Sequence, residues 1–453
     1  MKLNKKLLAT GVLAASVIAS QAHGAVSAEE AAKLGDSLTP IGAEKAGNGG
    51  DIPAWDGGLS TPPASYKGDG RYTNPFAGEK PKFVIDQSNV DQYAENLSAG
   101  QIAMIKRYDD YFMPVYETHR TATYPDEVEK QTMANATKVE LIKNGNGLGN
   151  YTEATPFPIP QNGLEAIWNH ITRYRGGSVA RNVGQVTPTE SGAYSVVKFQ
   201  DEFTWRTALQ DFEPNEDPNV LFYFKQAITA PARLAGNVLL VHETIDQVAE
   251  PRRAWVYNAG QRRVRRAPQV AYDGPGTAAD GMRTSDNFDM YNGAPDRYNW
   301  ELVGKKEMYI PYNSYQLVDP SLSYDKIIKA GHINQDLTRY ELHRVWHVRA
   351  TLKDGERHIY AQRDFFIDED SWQASVIDHY DGRGELWRVA EAHAMQFYDQ
   401  DVPWYAIEVL YDLLSGRYLA LGLTNEEADP YEFGAKRQSR DYTPAALRRA
   451  GTR

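Results

Sequence analysis

The 453-residue chain carries a formal net charge of −11, is 42% hydrophobic and contains no cysteine. Its length and apolar content suit one large folded domain or two ordinary ones and exclude a disordered chain. The missing cysteine excludes disulfides, thiolate metal centres, a cysteine nucleophile and an acylated N-terminal cysteine, and the acidic balance argues against general nucleic-acid binding, because phosphate affinity comes from Lys and Arg.

Lys2, Lys5 and Lys6 precede a short apolar core, Leu7 to Ile18, too short to span a bilayer. Ala22-His23-Gly24 places small residues at −3 and −1, so residues 1–24 read as a secretory signal, with Val26-Ser27-Ala28 as a second cleavage site. Removing that segment takes three lysines and no acid from a chain at −11, which leaves −14. With no later apolar span, the expected product is a soluble periplasmic protein and not a lipoprotein. Residues 25–82 are rich in Gly, Pro, Asn and Asp and form an extended, turn-rich segment.

Residues 83–180 are expected to be helical and packed on a sheet. Ser98 to Gln101 reads as a capping box, and Ile102, Ile105, Tyr108 and Phe112 follow at helical spacing until Pro114. A second helix begins near Asp126 and ends at Gly145; a third runs through "NGLEAIWNHITRY" to Gly176-Gly177. From Tyr194 to Leu423 the period becomes two, as in "LFYFKQAI", "NVLLVHETI", "RVWHVRATL" and "YAIEVLYDLL". Short turns between these runs give antiparallel neighbours. The predicted fold class is mainly β with α (α+β): a large curved antiparallel half-barrel of about ten or eleven strands over residues 181–425, since so large a sheet curls, with helices in or over its concave face. Residues 426–453 form a peripheral tail with a short helix after Thr443-Pro444.

Little in the chain points to covalent chemistry. Gly145 to Gly149 follows a helix, so it is a cap and turn, not a dinucleotide loop. His343 and His347 fall on a strand, where four positions span roughly 13 Å, too far to share one ion. No Gly-x-Ser-x-Gly elbow occurs, and Asp368-Glu369-Asp370 reads as a hairpin turn. No catalytic residue, cofactor or metal site is assigned; a secreted hydrolase with carboxylates from distant positions is the least favoured alternative.

Two stretches stand out. In "RRAWVYNAGQRRVRRAP" a three-residue turn at Asn258-Ala259-Gly260 predicts a hairpin in which Trp255 faces Arg263 and Arg253 faces Arg265. Arg253, Trp255, Tyr257, Arg263 and Arg265 would share one face, with the arginines covering the rings or meeting an anionic head group or acidic partner. The long loop "DGMRTSDNFDMYNGAPDRYNW" follows, in which Arg283, Asp286 and Asp289 either bond the loop or meet a partner. Large apolar groups alternate on the strands; Phe222, Phe224, Trp255, Tyr257, Trp346 and Trp372 are the expected ligand contacts.

The hairpin, together with "LTPIGAEKAGNGGDIPAWDGG", "TSDNFDMYNGAPDRY", "YIPYNSYQL", "RVWHVRATLKDGERHIYAQRDFFIDEDSW" and "YDLLSGRY", resembles an uncharacterised proteobacterial secreted family with an outer-membrane lipoprotein-sorting, carrier-like (LolA/LolB-like) half-barrel. The resemblance implies a curved sheet plugged by helices whose groove holds a hydrophobic small molecule or lipid, a non-enzymatic carrier or chaperone linked to envelope transport. An envelope transporter or outer-membrane protein is the implied partner. The alternative is an accessory subunit of an envelope export system with no ligand of its own.

Overall fold

The computed structural model describes residues 25–268 and 270–451, so the expected signal segment lies outside the described residues. After α1 (Ala28–Ala31) the chain runs without regular structure to β1 (Phe83–Ile85), as its Gly and Pro content requires. α2 (Ala99–Arg107) opens with the expected capping box: Ser98 accepts from Gln101 N while the Gln101 side chain accepts from Ser98 N. β2 (Met113–Val115) pairs with β1. α3 (Asp126–Asn135) ends well before Gly145, because the Asn135 side chain donates to the carbonyls of Glu153 and Thr155 and turns the chain. β3 (Glu140–Ile142) and β4 (Gly147–Gly149) then form a separate hairpin, so the glycine run is a turn and strand. α4 (Gly163–Thr172) starts at an Asn162 cap and is buried at every position except Leu164.

β5 (Ser178–Val186), β6 (Val197–Trp205), β7 (Val220–Ala230), β8 (Val238–Thr244), β9 (Arg253–Asn258) and β10 (Arg263–Arg266) form an antiparallel meander. β11 (Tyr298–Pro311), β12 (Tyr340–Leu352), β13 (Gln362–Asp368), β14 (Ala374–Tyr380), β15 (Leu386–Phe397), β16 (Val402–Asp412) and β17 (Tyr418–Leu423) form a second, with the short α5 (Tyr324–Ile327) between β11 and β12. β17 pairs with β5 and fuses the two into one 16-stranded sheet, curved and open, with β1 and β10 at the ends of its path. β18 (Tyr431–Phe433) adds to β5, and α6 (Pro444–Gly451) closes the chain. The expected class is found, with more strands than the ten or eleven expected. Among the extra ones are the marginal β1, β2 and β18, the short β17, and β5 and β6, where buried Arg181 and Asp201 break the apolar alternation.

Helices cover both faces. On one, α4 and the loop between β10 and β11 pack on Phe222, Phe224, Val348, Phe365 and Ala390. On the other, Met104 and Ile105 of α2 lie with Val376 and Val389, and Tyr442 and Leu447 near the C-terminus lie on Tyr223, Leu240 and Tyr257. At α2 the helix comes very close. A Cβ on Gly100 would sit 2.2 Å from Asp378 Oδ1, and the buried Asp378 carboxyl accepts from Ser98 Oγ (2.9 Å) and Gly100 N (3.0 Å).

Candidate functional site: an apolar cleft under the long loop

Alternation along β7 and β8 sets the floor of a cleft. Phe222 pairs with Glu243, Phe224 with Val241 and Gln226 with Leu239, so all six side chains point to the face that carries α4. Val270, Pro275, Gly276, Thr277, Arg283, Ser285, Phe288 and Asn292, all from the chain between β10 and β11, complete the walls. The rings of Phe224 and Phe288 lie 4.6 Å apart. The cleft is narrow: its cavity volume is ≈ 50 Å³, and ≈ 520 Å³ when all space between atoms out to the solvent-facing mouth is counted.

The loop is held in place by two buried acids. Asp286 accepts from Arg363 (2.9 Å), His358 (3.0 Å) and Thr284 Oγ1 (2.6 Å). Asp289 accepts from Arg173 (2.5 Å), Trp404 Nε1 (3.2 Å) and Arg175. Burial pushes both carboxyls up, but Arg363 beside Asp286, and Arg173 with Arg175 beside Asp289, overcome it and hold them well below the usual carboxylate range. These arginines come from β13 and from the chain just after α4, so loop, helix and sheet are joined by charge in a place without water to screen it.

One end of the cleft is closed by a matched set. Arg252 Nε donates to both oxygens of Glu243 (2.8 and 3.1 Å), and Asn292 Nδ2 donates to Glu243 (2.7 Å). Near Gln226 the balance differs. Gln226 donates to Asp201 (3.0 Å), which also takes Arg181 (3.3 Å). Arg283 is 5% exposed and its Nε has no hydrogen-bond partner among the described residues. A Cβ on Gly276 would sit 3.0 Å from that Nε, so glycine makes room for the side chain. Among the described residues lining the cleft, Glu243 is the single carboxylate and none is histidine. The paired carboxylates or Ser-His pair that hydrolysis would need are therefore not assembled at this cleft.

Residues 84–448 match the family model described as "Protein of unknown function (DUF1329)". The chain belongs to the DUF1329 family. "Uncharacterized protein PA3922" of Pseudomonas aeruginosa is 69% identical over 455 residues that span the whole of both chains. Among solved structures, a putative outer membrane lipoprotein-sorting protein domain from Vibrio parahaemolyticus is 12% identical at a TM-score of 0.42, covering 60% of this chain and 92% of that one. A DUF1329 family protein from Desulfovibrio piger is 13% identical at 0.40, with the same coverage. The LolA superfamily protein NE2245 from Nitrosomonas europaea is 13% identical at 0.35, again with the same coverage.

In this DUF1329 protein the six expected ligand contacts do not come together. Phe222 and Phe224 line the cleft. Trp255 and Tyr257 point to the opposite face, where Tyr257 is covered with Leu447 of α6. Trp346 and Trp372 stack on each other (6.3 Å, 9°) away from the cleft; Lys305 lies over Trp346, and Trp372 donates Nε1 to Ile41 O (3.0 Å). Of the six residues expected at a head group or partner, Arg283 reaches the cleft, whereas Asp286 and Asp289 are committed to the buried pairs above. Arg253 pairs with Asp217 (3.6 Å) and Glu250 (3.5 Å). Arg263 and Arg265 are exposed on β10.

The hairpin register also differs from the expected one. Arg263 pairs with Asn258, Val264 with Tyr257 and Arg266 with Trp255. Asn258 Oδ1 accepts from Gln261 N (2.9 Å) and closes a wider turn, in which Arg262 takes the left-handed conformation (φ 54). Arg266 therefore covers Trp255 (5.6 Å), while Arg263 and Arg265 lie on the other side of the strand.

The acids of the turn after β13 are buried. His343, Asp368 and Asp370 place ligand-capable atoms within 4.8 Å of one another. Both oxygens of Asp370, however, accept from Arg120 (2.7 and 2.9 Å), whose charge stands where a cation's would. The sequence spacing of His343 to the acids, a strand and a turn away, gave no metal-ligand pattern. The cleft residues Leu239, Val241 and Phe288 were likewise missed, since alternation alone does not tell which face a loop will roof.

Proposed function

We propose that the protein is a soluble periplasmic carrier or chaperone. It binds a lipid-like or other hydrophobic ligand without covalent chemistry in the cleft between β7, β8 and the long loop, in the service of outer-membrane or envelope transport. The observation that carries this reading is the cleft itself: Phe222, Phe224, Leu239, Val241, Val270 and Phe288 present apolar surface around a space with an open mouth. At about 25 cal/mol per Å², a tail that loses about 200 Å² of surface to water gains about 5 kcal/mol before the cost of association. Binding of that order is reversible, as transfer requires. The export signal read in residues 1–24 supports the location, and no described helix is long and apolar enough to cross a membrane. The test is to purify the chain from the cell envelope without detergent, extract it with organic solvent and analyse the extract by mass spectrometry. One lipid-like species at near-equimolar amount is expected; clean protein that also fails to bind a hydrophobic dye contradicts the reading.

A second reading, an accessory subunit of an envelope export system, is favoured by the exposed Arg263, Arg265 and Arg266 on the terminal strand β10. If they contact an acidic partner, the double variant Arg263→Glu/Arg265→Glu loses it in a pull-down, and unchanged recovery removes this reading.

A further inference from the structure

The cleft carries more than apolar surface. Arg283 is a buried guanidinium on its wall, and no carboxylate among the described residues is committed to it. Asp201 is held by Arg181 and Gln226. Glu243 is held by Arg252 and Asn292. Glu408, the remaining acid whose field reaches Arg283, accepts from no side chain, and burial pushes its carboxyl up to about 7 while Arg283 opposes the shift. A buried cation with no anion in hydrogen-bond contact is costly, and the cost is relieved by a ligand that brings one. The position of Arg283 beside Phe288 and Phe224 would let one molecule satisfy both needs, with its acid on the guanidinium and its apolar body along the rings.

We propose that the ligand of this cleft is an amphiphile with a single anionic head, a carboxylate or a phosphate, which pairs with Arg283 while its tail lies against Phe222, Phe224 and Phe288. This inference rests on the carrier reading and narrows it to one class of cargo. It also assigns Arg283 a role that separates it from the exposed arginines of β10.

The test holds the tail constant and changes the head. Full-length mature protein, stripped of lipid, is titrated calorimetrically with dodecanoate, dodecyl phosphate, dodecanol and dodecyltrimethylammonium, all below micelle formation. The expected order is either or both anions about tenfold or more tighter than the alcohol, as a charge-assisted contact provides, with the ammonium weakest. The stronger of the two anions identifies the head group. Arg283→Met brings anion and alcohol to equal affinity, Arg283→Lys keeps a preference for the anion, and Arg263→Met on β10 changes nothing. Equal binding of anion and alcohol by the wild-type chain overturns the head-group assignment and leaves the carrier reading standing; no binding of any of the four overturns both. Should Arg283→Met fail to fold, as a thermal melt would show, the comparison of four heads on the wild-type chain still decides.

Discussion

Glu408 lies in the sheet with no side chain donating to its carboxylate, and burial pushes its carboxyl up to about 7 from an ordinary 4.5. Below pH 4.5 the group is protonated whether the chain is folded or not. Between 4.5 and 7 the folded chain keeps a proton that the unfolded chain has lost, so its contribution to stability falls as pH rises through that window and is constant above it. Asp378 and Glu391, also pushed up to about 7 by burial, act in the same direction. Glu408→Gln should therefore raise stability at pH 8, by up to about 3 kcal/mol, and leave it almost unchanged at pH 4; urea unfolding at the two pH values checks this, and an equal effect at both refutes it. Asp289→Asn has the opposite sense. It leaves Arg173 and Arg175 buried without their counter-charge and should cost about 3–5 kcal/mol, with dye binding at the cleft lost as the loop unseats. The sequence marked Asp286 and Asp289 as polar residues of a long loop. It did not mark their partners, which lie far away along the chain and become neighbours only when α4 and the loop share one face.

Two helix positions were legible at the scale of elements because their signals are local: the Ser98 box and the apolar run of α4 fall where expected. The β9–β10 hairpin was legible as a hairpin but not in register, because one side-chain bond, Asn258 Oδ1 to Gln261 N, selected a longer turn than the Asn-Ala-Gly stretch suggested. That register matters for what the arginines do. β10 ends the sheet, and a row of exposed charges on an end strand blocks pairing with another chain. Arg263→Val/Arg265→Val should therefore associate through that edge and elute earlier in size-exclusion chromatography; an unchanged elution volume contradicts edge protection. At the other face, Gly100→Ala forces a Cβ against Asp378 and Val389. It should loosen α2 and cost about 1–3 kcal/mol, as overpacking does, measured by thermal or urea unfolding.

For the whole molecule, the period-two runs and short turns were enough to indicate one large curved sheet. They could not show that two meanders join through β17 and β5, since that pair brings together residues more than 200 positions apart. Nor could they show which face would be filled and which left partly open. α4 and the N-terminal segment fill most of one face, and the loop roofs the rest incompletely over β7 and β8. Trp255 and Tyr257, equally apolar in sequence, are on the face that α6 covers. The claim that the cleft, and not another surface, takes the hydrophobic ligand is tested most directly by photo-crosslinking. A diazirine-bearing fatty acid is bound to the purified full chain, irradiated, and the labelled peptides are mapped by mass spectrometry. Label confined to residues 220–243 and 270–292, competed away by excess unlabelled fatty acid, is the predicted result; label on β9 around Trp255 and Tyr257, or no competable label, would contradict it.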